Sequence, residues 1–338
     1  MRNNSIISEM KLLALRQVLV IALLNIAIMV AAGQSHNTTK VVLSGDRSLD
    51  QQSALEDTQD ALKLNTDLVN VVVTVTDRSG QAIDRLQKES LRVSDDKVEQ
   101  PISFFSEEDT PVSVAIVFDT SGSMSDGTIE RAKEALARFI QTSHPQDEFT
   151  LIGFSSSPQL LLDRVRDGNA VLDKFTYVHP TGQTALYDAL YLGIEKVSQG
   201  VYPKKAIILI SDGEENNSRC SFGKLRRQLQ ESGVVVYTVR VGMLPLPKSI
   251  GGMVMDQVAS ASGGKSFWPK NSERLDETFE QIALELRRQY SIGYLPSNFV
   301  PDGKLHKIKV SLTVPRALSR EMVVRHREGY YAGKFTAR

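Results

Sequence analysis

Apolar and polar positions along this chain follow two different rules, and the change from one to the other marks its architecture. Leu68 to Thr76 is rich in Val and Thr and has the character of a strand. Asp77-Arg78-Ser79-Gly80 supplies a turn, and short strands are predicted at Leu91 to Val93 and Ile102 to Phe105. From Pro111 the rule changes. Val112 to Phe118 is apolar except for Ser113, the pattern of a strand covered on both faces. Ile129, Ala132, Leu136, Phe139 and Ile140 then recur at helical spacing. Strands are predicted at Phe149 to Phe154, Ala206 to Ile210 and Val234 to Val241. Helices are predicted from about Thr184 to Ser198, around Phe222 to Glu231, near Met253 to Ala261 and from Ser272 to Arg288. Strand and helix units in alternation predict an α/β fold with a doubly wound, mostly parallel sheet of Rossmann-like type.

After Tyr290 the pattern returns to β, with strands predicted at Tyr290 to Tyr294, His306 to Val314 and Met322 to Arg325. Each outer β-rich piece has too few strands to be stable alone. The two are therefore expected to pair into one flanking β-sandwich, formed from N- and C-terminal segments, with the α/β block inserted between them.

The N-terminus carries a different signal. Arg2, Lys11 and Arg16 precede an apolar run from Val18 to Ala32, broken only by Asn25, and small residues Ala31, Ala32 and Gly33 follow. This order of basic, apolar and small residues predicts a signal peptide over residues 1–33. An uncleaved membrane anchor is the alternative, although the run is short of the roughly 20 apolar residues a span requires. Either way the bulk of the chain is expected to be extracytoplasmic, secreted or periplasmic. Residues 34–65 are polar and mixed in charge, and read as a linker. Cys220 is the sole cysteine, so no intrachain disulfide can form. Lys plus Arg total 40 and Asp plus Glu total 40, without a basic tract, which argues against a nucleic-acid partner.

The candidate chemistry lies at the predicted strand ends. Val114 to Phe118 runs into Asp119-Thr120-Ser121-Gly122-Ser123-Met124, and Ala206 to Ile210 runs into Ser211-Asp212-Gly213. Gly182-Gln183-Thr184 opens a helix between them. In open α/β sheets ligands bind at the carboxyl ends of the strands. Asp119, Ser121 and Ser123 can turn alternate side-chain oxygens toward one point, with Gly122 easing the bend. Two carboxylates and three hydroxyls make a hard, all-oxygen donor set. It suits Mg²⁺, with Mn²⁺ or Ca²⁺ compatible, and disfavours Zn²⁺ or copper.

Asp-x-Ser-x-Ser, a Gly-x-Thr turn and Ser-Asp-Gly after a buried strand, in this order, resemble the metal-ion-dependent adhesion site of von Willebrand factor type A domains. The resemblance covers roughly Val112 to Tyr290 and extends to Val239-Arg240-Val241-Gly242 and Ser262-Gly263-Gly264. It implies a metal site of Asp119, Ser121, Ser123, Thr184 and Asp212, in which the hydroxyls contact the ion and the aspartates act partly through water. It also implies a protein partner whose Asp or Glu completes the shell, and a partner-binding rim of Met124, Gln183, Gly213 and Glu214. The outer pieces resemble a bacterial subfamily, through Val73-Thr74-Val75-Thr76-Asp77 and Gly329-Tyr330-Tyr331. The expected organisation is residues 66–108 and 290–338 as the two halves of the sandwich, with 109–289 as the type A domain.

Competing patterns carry less. Ala259 to Ser266 fits a relaxed phosphate-loop pattern, but a predicted helix precedes it where the motif needs a strand. Gly153-Phe154-Ser155-Ser156-Ser157 resembles part of a nucleophile elbow without the closing Gly. His179 could line the rim of the site, though a solvated loop histidine is the plainer reading. Asp95 and Asp96, with Glu99 nearby, could bind Ca²⁺, and here a solvated turn is the plainer reading. Glu214 and Glu215 are candidates for tuning local charge, and Trp268 and Tyr330-Tyr331 read as core or interface aromatics. The function expected is therefore metal-dependent binding, adhesion or scaffolding rather than catalysis. The alternative is a metal-dependent hydrolase at the same cluster, for which no Ser-His-Asp set or two-metal acidic group is apparent. A subunit relaying metal-gated change to a motor ATPase is opposed by the export signal.

Overall fold

The computed structural model describes residues 68–124, 126–174, 181–241, 250–313 and 321–333. The expected signal segment, the linker and His179 lie outside these. The strands, in chain order, are β1 (Val69–Asp77), β2 (Leu91–Asp95), β3 (Val98–Gln100), β4 (Ile102–Ser106), β5 (Val112–Asp119), β6 (Glu148–Phe154), β7 (Pro158–Val165), β8 (Lys204–Ser211), β9 (Val235–Arg240), β10 (Ser266–Phe267), β11 (Tyr290–Tyr294), β12 (Leu305–Leu312), β13 (Met322–Arg325) and β14 (Gly329–Tyr331). The α-helices are α1 (Asp126–Thr142), α2 (Gly168–Lys174), α3 (Leu186–Ser198), α4 (Phe222–Ser232), α5 (Ile250–Ser262) and α6 (Ser272–Arg287).

The α/β block is built on a six-stranded sheet of order β10-β9-β8-β5-β6-β7, parallel throughout except for β7, which runs antiparallel to β6. Its central strand β5 is buried along its whole length. The period-two geometry of a strand divides its side chains between two cores. Val112, Val114, Ile116 and Phe118 face one core with Ile129, Leu136 and Phe139 of α1 and Phe279 and Ile282 of α6. Ala115 and Val117 face the other, with Leu186, Leu190 and Ile194 of α3, Leu225 and Leu229 of α4, and Met255 and Val258 of α5. Helices on both faces explain why β5, β6 and β8 read as near-continuous apolar runs.

Strand β7 and helix α2 are absent from the sequence expectation. Strand β7 is an edge strand that begins with Pro158, bears register shifts against β6 and leaves most of its residues partly or wholly exposed. Neither face of β7 is fully buried, so no alternation of apolar and polar positions marks it.

The outer segments interleave. Strands β13-β1-β11-β4 form one antiparallel sheet and β14-β12-β2-β3 another, each mixing strands from before and after the α/β block. Val71 pairs with Ile292, and Val93 pairs with Val310. Val73, Val75, Val93, Ile292, Ile308 and Val310 bury one common core between the sheets, a β-sandwich. Neither half contains a complete sheet, so neither can close this core without the other. The sandwich is tied to the α/β block by buried polar contacts. The Arg327 guanidinium donates to Gln230 O in α4 (2.8 Å) and Asn70 O in β1 (2.7 Å). Arg325 donates to the buried Glu285 of α6 (2.5 Å). Trp268 lies beneath the Arg240 guanidinium and Tyr330 lies in the sandwich core, both structural positions. Among the described residues no helix is long and apolar enough to cross a membrane.

Candidate metal centre

Chain order reverses around β5: the sheet grows toward β6 on one side, then resumes with β8 on the other. Such a switch point leaves a crevice at the carboxyl ends of the two central strands. Asp119 closes β5 and Ser211 closes β8, so the Asp119–Met124 loop and the Asp212–Gly213 turn emerge side by side there.

Hydrogen bonds join the third segment to the first. The Gly122 N–H donates to Gly182 O (3.1 Å) and the Thr181 N–H to Thr120 O (2.9 Å). The left-handed backbone is at Gly182 (φ +82°), whereas Gly122, expected to ease a bend, has no positive φ. A Cβ at Gly182 would also lie 2.6 Å from Ser156 Oγ. A Cβ at Gly122 would meet Gly182 O at an ordinary contact distance of 3.4 Å, so neither backbone angle nor space demands glycine there. Gly213 (φ +91°) meets Gly251 backbone to backbone, which seats the start of α5 on the Asp212 turn.

Within this frame Ser121 Oγ and Ser123 Oγ lie 2.9 Å apart. The two hydroxyls are hydrogen-bonded to each other, and the same separation is compatible with adjacent donors on an octahedral ion, about 3 Å apart for bonds of 2.0–2.1 Å. Asp119 is fully buried. Its Oδ1 accepts from the Ser121 N–H (2.9 Å) and its Oδ2 from the Ser211 hydroxyl (2.5 Å). Burial pushes its carboxyl up to about 6, and the neighbouring Asp212 carboxylate pushes the same way. A positive charge nearby would oppose both effects. With an oriented donor on each oxygen, Asp119 is suited to holding a water as readily as an ion. Asp212 is partly exposed and its Oδ1 accepts from the Glu214 N–H (3.0 Å). Thr184 is buried, its N–H donating to Asn216 Oδ1 (2.8 Å) and its carbonyl accepting from the N–H groups of Asn216 and Asn217. The donor set fits a hard divalent cation.

Several supporting residues carry no signal of their own in the sequence. Ser211 orients Asp119 and also accepts from the Gly213 N–H (2.9 Å), linking both acidic segments through one hydroxyl. Only its place in the Ser-Asp-Gly triplet hints at this. Glu215 accepts from the Tyr187 N–H (2.9 Å) at the start of α3 and from the Ser218 hydroxyl (2.7 Å). It is a helix cap, not a charge tuned toward the site. Of the expected rim, Gln183 and Glu214 are exposed, but the Met124 side chain is buried in the core with Ile129 and Phe139. Met124 offers no rim surface, because an apolar side chain at the end of the β5 loop gains more by joining the core beneath it. Gly213 is buried as well, packed against Gly251.

Two sequence patterns are removed. Gly153 to Ser157 crosses from β6 into the β6–β7 hairpin, with no helix to form an elbow. Gly263-Gly264-Lys265 follows α5 and leads into β10, the reverse of a phosphate loop.

Residues 114–215 match the family model described as von Willebrand factor type A domain. This α/β block is a von Willebrand factor type A domain. Among curated relatives, an uncharacterized protein of Synechocystis sp. is 26% identical over 189 residues, covering 54% of this chain and 43% of that protein. Mouse inter alpha-trypsin inhibitor heavy chain 4 is 27% identical over 195 residues, covering 53% of this chain and 19% of that protein. Both matches span less than half of the relative's length. A solved von Willebrand factor type A structure from Catenulispora acidiphila is 13% identical, with a TM-score of 0.45, covering 80% of this chain and 74% of that one. The residues matched, 114–215, include Asp119, Ser121, Ser123, Thr184 and Asp212.

Proposed function

We propose that this protein is an exported, metal-dependent protein-binding module, acting in adhesion or scaffolding. Asp119, Ser121, Ser123, Thr184 and Asp212 would hold a divalent cation, Mg²⁺ first and Mn²⁺ or Ca²⁺ as substitutes. The observation that carries the reading is the serine pair at 2.9 Å beside a buried carboxylate, at the switch point of the sheet. When bound, the ion would supply a Lewis-acidic position open to a carboxylate oxygen. The chain's own part is to orient the donors: Ser211 and the Ser121 N–H fix Asp119, and the Gly122–Gly182 contact fixes the Thr184 turn. The exposed Gln183 and Glu214 flank the crevice and are where an incoming Asp or Glu would be read. Export rests on the basic, apolar and small-residue order of residues 1–33.

Affinity capture with the full chain as bait, with Mg²⁺ and with EDTA, tests the proposal. Partners should be retained in Mg²⁺ and released by EDTA, and Ser121→Ala should lose them in both. Partners retained equally in EDTA and by Ser121→Ala would place binding on another surface.

A further inference from the structure

The sandwich holds a second cluster of ligating side chains. The hairpin β2–β3 turns through Asp96 and Lys97, both in the left-handed region (φ +46° and +72°). Its tip is strapped to β12: the Asp96 N–H donates to Lys307 O and the Lys307 N–H to Asp96 Oδ1, each 2.9 Å. The strap sets Asp95 and Asp96 beside His306, distant in sequence by about two hundred residues. One oxygen or nitrogen from each of the three lies within 4.8 Å of the others. The plain reading of Asp95 and Asp96 as a solvated turn therefore holds only for Asp96, since Asp95 is 6% exposed. Glu99 is turned away, toward Arg92.

Asp95 is anchored but not satisfied. Its Oδ2 accepts from the hydroxyls of Tyr294 (3.0 Å) and Tyr330 (2.8 Å). Its Oδ1 is buried, has no hydrogen-bond partner, and lies 3.9 Å from His306 Nδ1. A buried carboxylate oxygen without a donor is costly unless a water or a cation meets it. Asp96 Oδ2 is 3.0 Å from the same Nδ1. The other nitrogen, Nε2, is 3.5 Å from Asp302 Oδ1. The ring is stacked on Tyr330 at 5.3 Å. Nε2 is buried and makes no hydrogen bond, so Asp302 is a charged neighbour within reach of the ring, while Nδ1 faces two carboxylates as a metal-ligating nitrogen would.

We propose that Asp95 Oδ1, Asp96 Oδ2 and His306 Nδ1 form a second divalent-cation site, with Asp302 as a charged neighbour of His306. The imidazole sets its class. One nitrogen and two oxygens suit Zn²⁺ or a similar transition-metal ion, whereas Mg²⁺ and Ca²⁺ take all-oxygen shells. Tetrahedral donors at 2.0–2.2 Å from an ion are separated by about 3.4 Å. The observed 3.0 and 3.9 Å bracket that value. The half-exposed Asp96 leaves a path of entry and a place for a water as fourth ligand. Because Asp95 and Asp96 come from the segment before the type A domain and His306 from the segment after it, the ion would clamp the two halves of the sandwich together.

The test is Zn²⁺ titration of the full chain, stripped with EDTA and returned to excess Mg²⁺ so that the all-oxygen site is filled. Calorimetry should show one equivalent of Zn²⁺, and Co²⁺ in its place should give the visible absorption of a low-coordinate site. His306→Ala should abolish both signals, and Asp302→Asn should weaken Zn²⁺ binding about 10–100-fold. Asp96→Asn keeps the acceptor for Lys307 and should fold normally while losing at least about tenfold in affinity. If wild type takes up no Zn²⁺, or if Asp96→Asn binds it as wild type does, the proposal is overturned. The cluster would then be a structural contact of one histidine with three carboxylates.

Discussion

The type A domain and the sandwich bury polar chemistry in opposite ways. In the first, most candidate ligands sit on turns at the ends of two adjacent parallel strands, and main-chain bonds between neighbouring turns hold them, with the Ser211 hydroxyl reaching across to Asp119. In the second, the charged groups lie within the fold and are partnered across the chain: Arg327 reaches Gln230 and Asn70, and Asp95 meets Tyr294 and Tyr330. A site at strand ends is written in short motifs, while a site made by pairing distant segments leaves only scattered single residues. The two regions should accordingly fail differently when perturbed.

The largest effect is expected at their junction. Arg327→Met removes a buried guanidinium that donates to the carbonyls of Gln230 and Asn70, which should cost about 3 kcal/mol or more. Urea unfolding should then separate into two transitions, the sandwich melting first; a single, unshifted transition would show that Arg327 does not couple the regions. A smaller loss, about 1–3 kcal/mol, is expected for Tyr330→Phe, which keeps the stack on His306 but deprives buried Asp95 of a donor. The midpoint of thermal unfolding reports it, and an unchanged midpoint would mean Asp95 is held by other means.

Smaller still is the pH response of the sandwich. His326 Nε2 accepts from the Val310 N–H (3.1 Å), and Nδ1 lies 2.8 Å from Arg327 O, an arrangement that fits the neutral ring with Nδ1 as donor. Burial holds its pKa below the ordinary 6.5, against smaller opposing effects of the Arg327 carbonyl and Glu328. A depressed pKa means stability is full above about pH 6.5 and is lost as pH falls through the folded value. The raised carboxyl of Asp119 acts with the opposite sign in metal-free protein, its share being lost as pH rises through about 6. Thermal unfolding between pH 7 and 5 should therefore be compared between wild type and His326→Gln. Wild type should lose more stability on acidification, and parallel profiles would remove His326 from the account.

These differences also explain what could be read from residues alone. The parallel sheet was legible because β5, β6 and β8 are buried on both faces and need long apolar runs. The candidate site was legible because Asp119-x-Ser121-x-Ser123 and Ser211-Asp212-Gly213 are short local motifs, and the structure sets their two strand ends side by side. Strand β7 was not, since an exposed edge imposes no pattern. Met124 was misplaced at the rim because nothing in the motif says which loop side chains turn inward. The pairing of Asp95 with His306 depends on β2 meeting β12, and no local spacing encodes that register.

The central claim is that the type A site holds a divalent ion through Ser121 and its neighbours. Calorimetric titration of Mg²⁺ into EDTA-stripped wild type and Ser121→Ala, with thermal unfolding in parallel, tests it most directly. Wild type should bind one equivalent and melt at a higher temperature in Mg²⁺, while Ser121→Ala should keep its fold and bind at least about tenfold more weakly. Equal Mg²⁺ responses from the two proteins, or none from either, would contradict it.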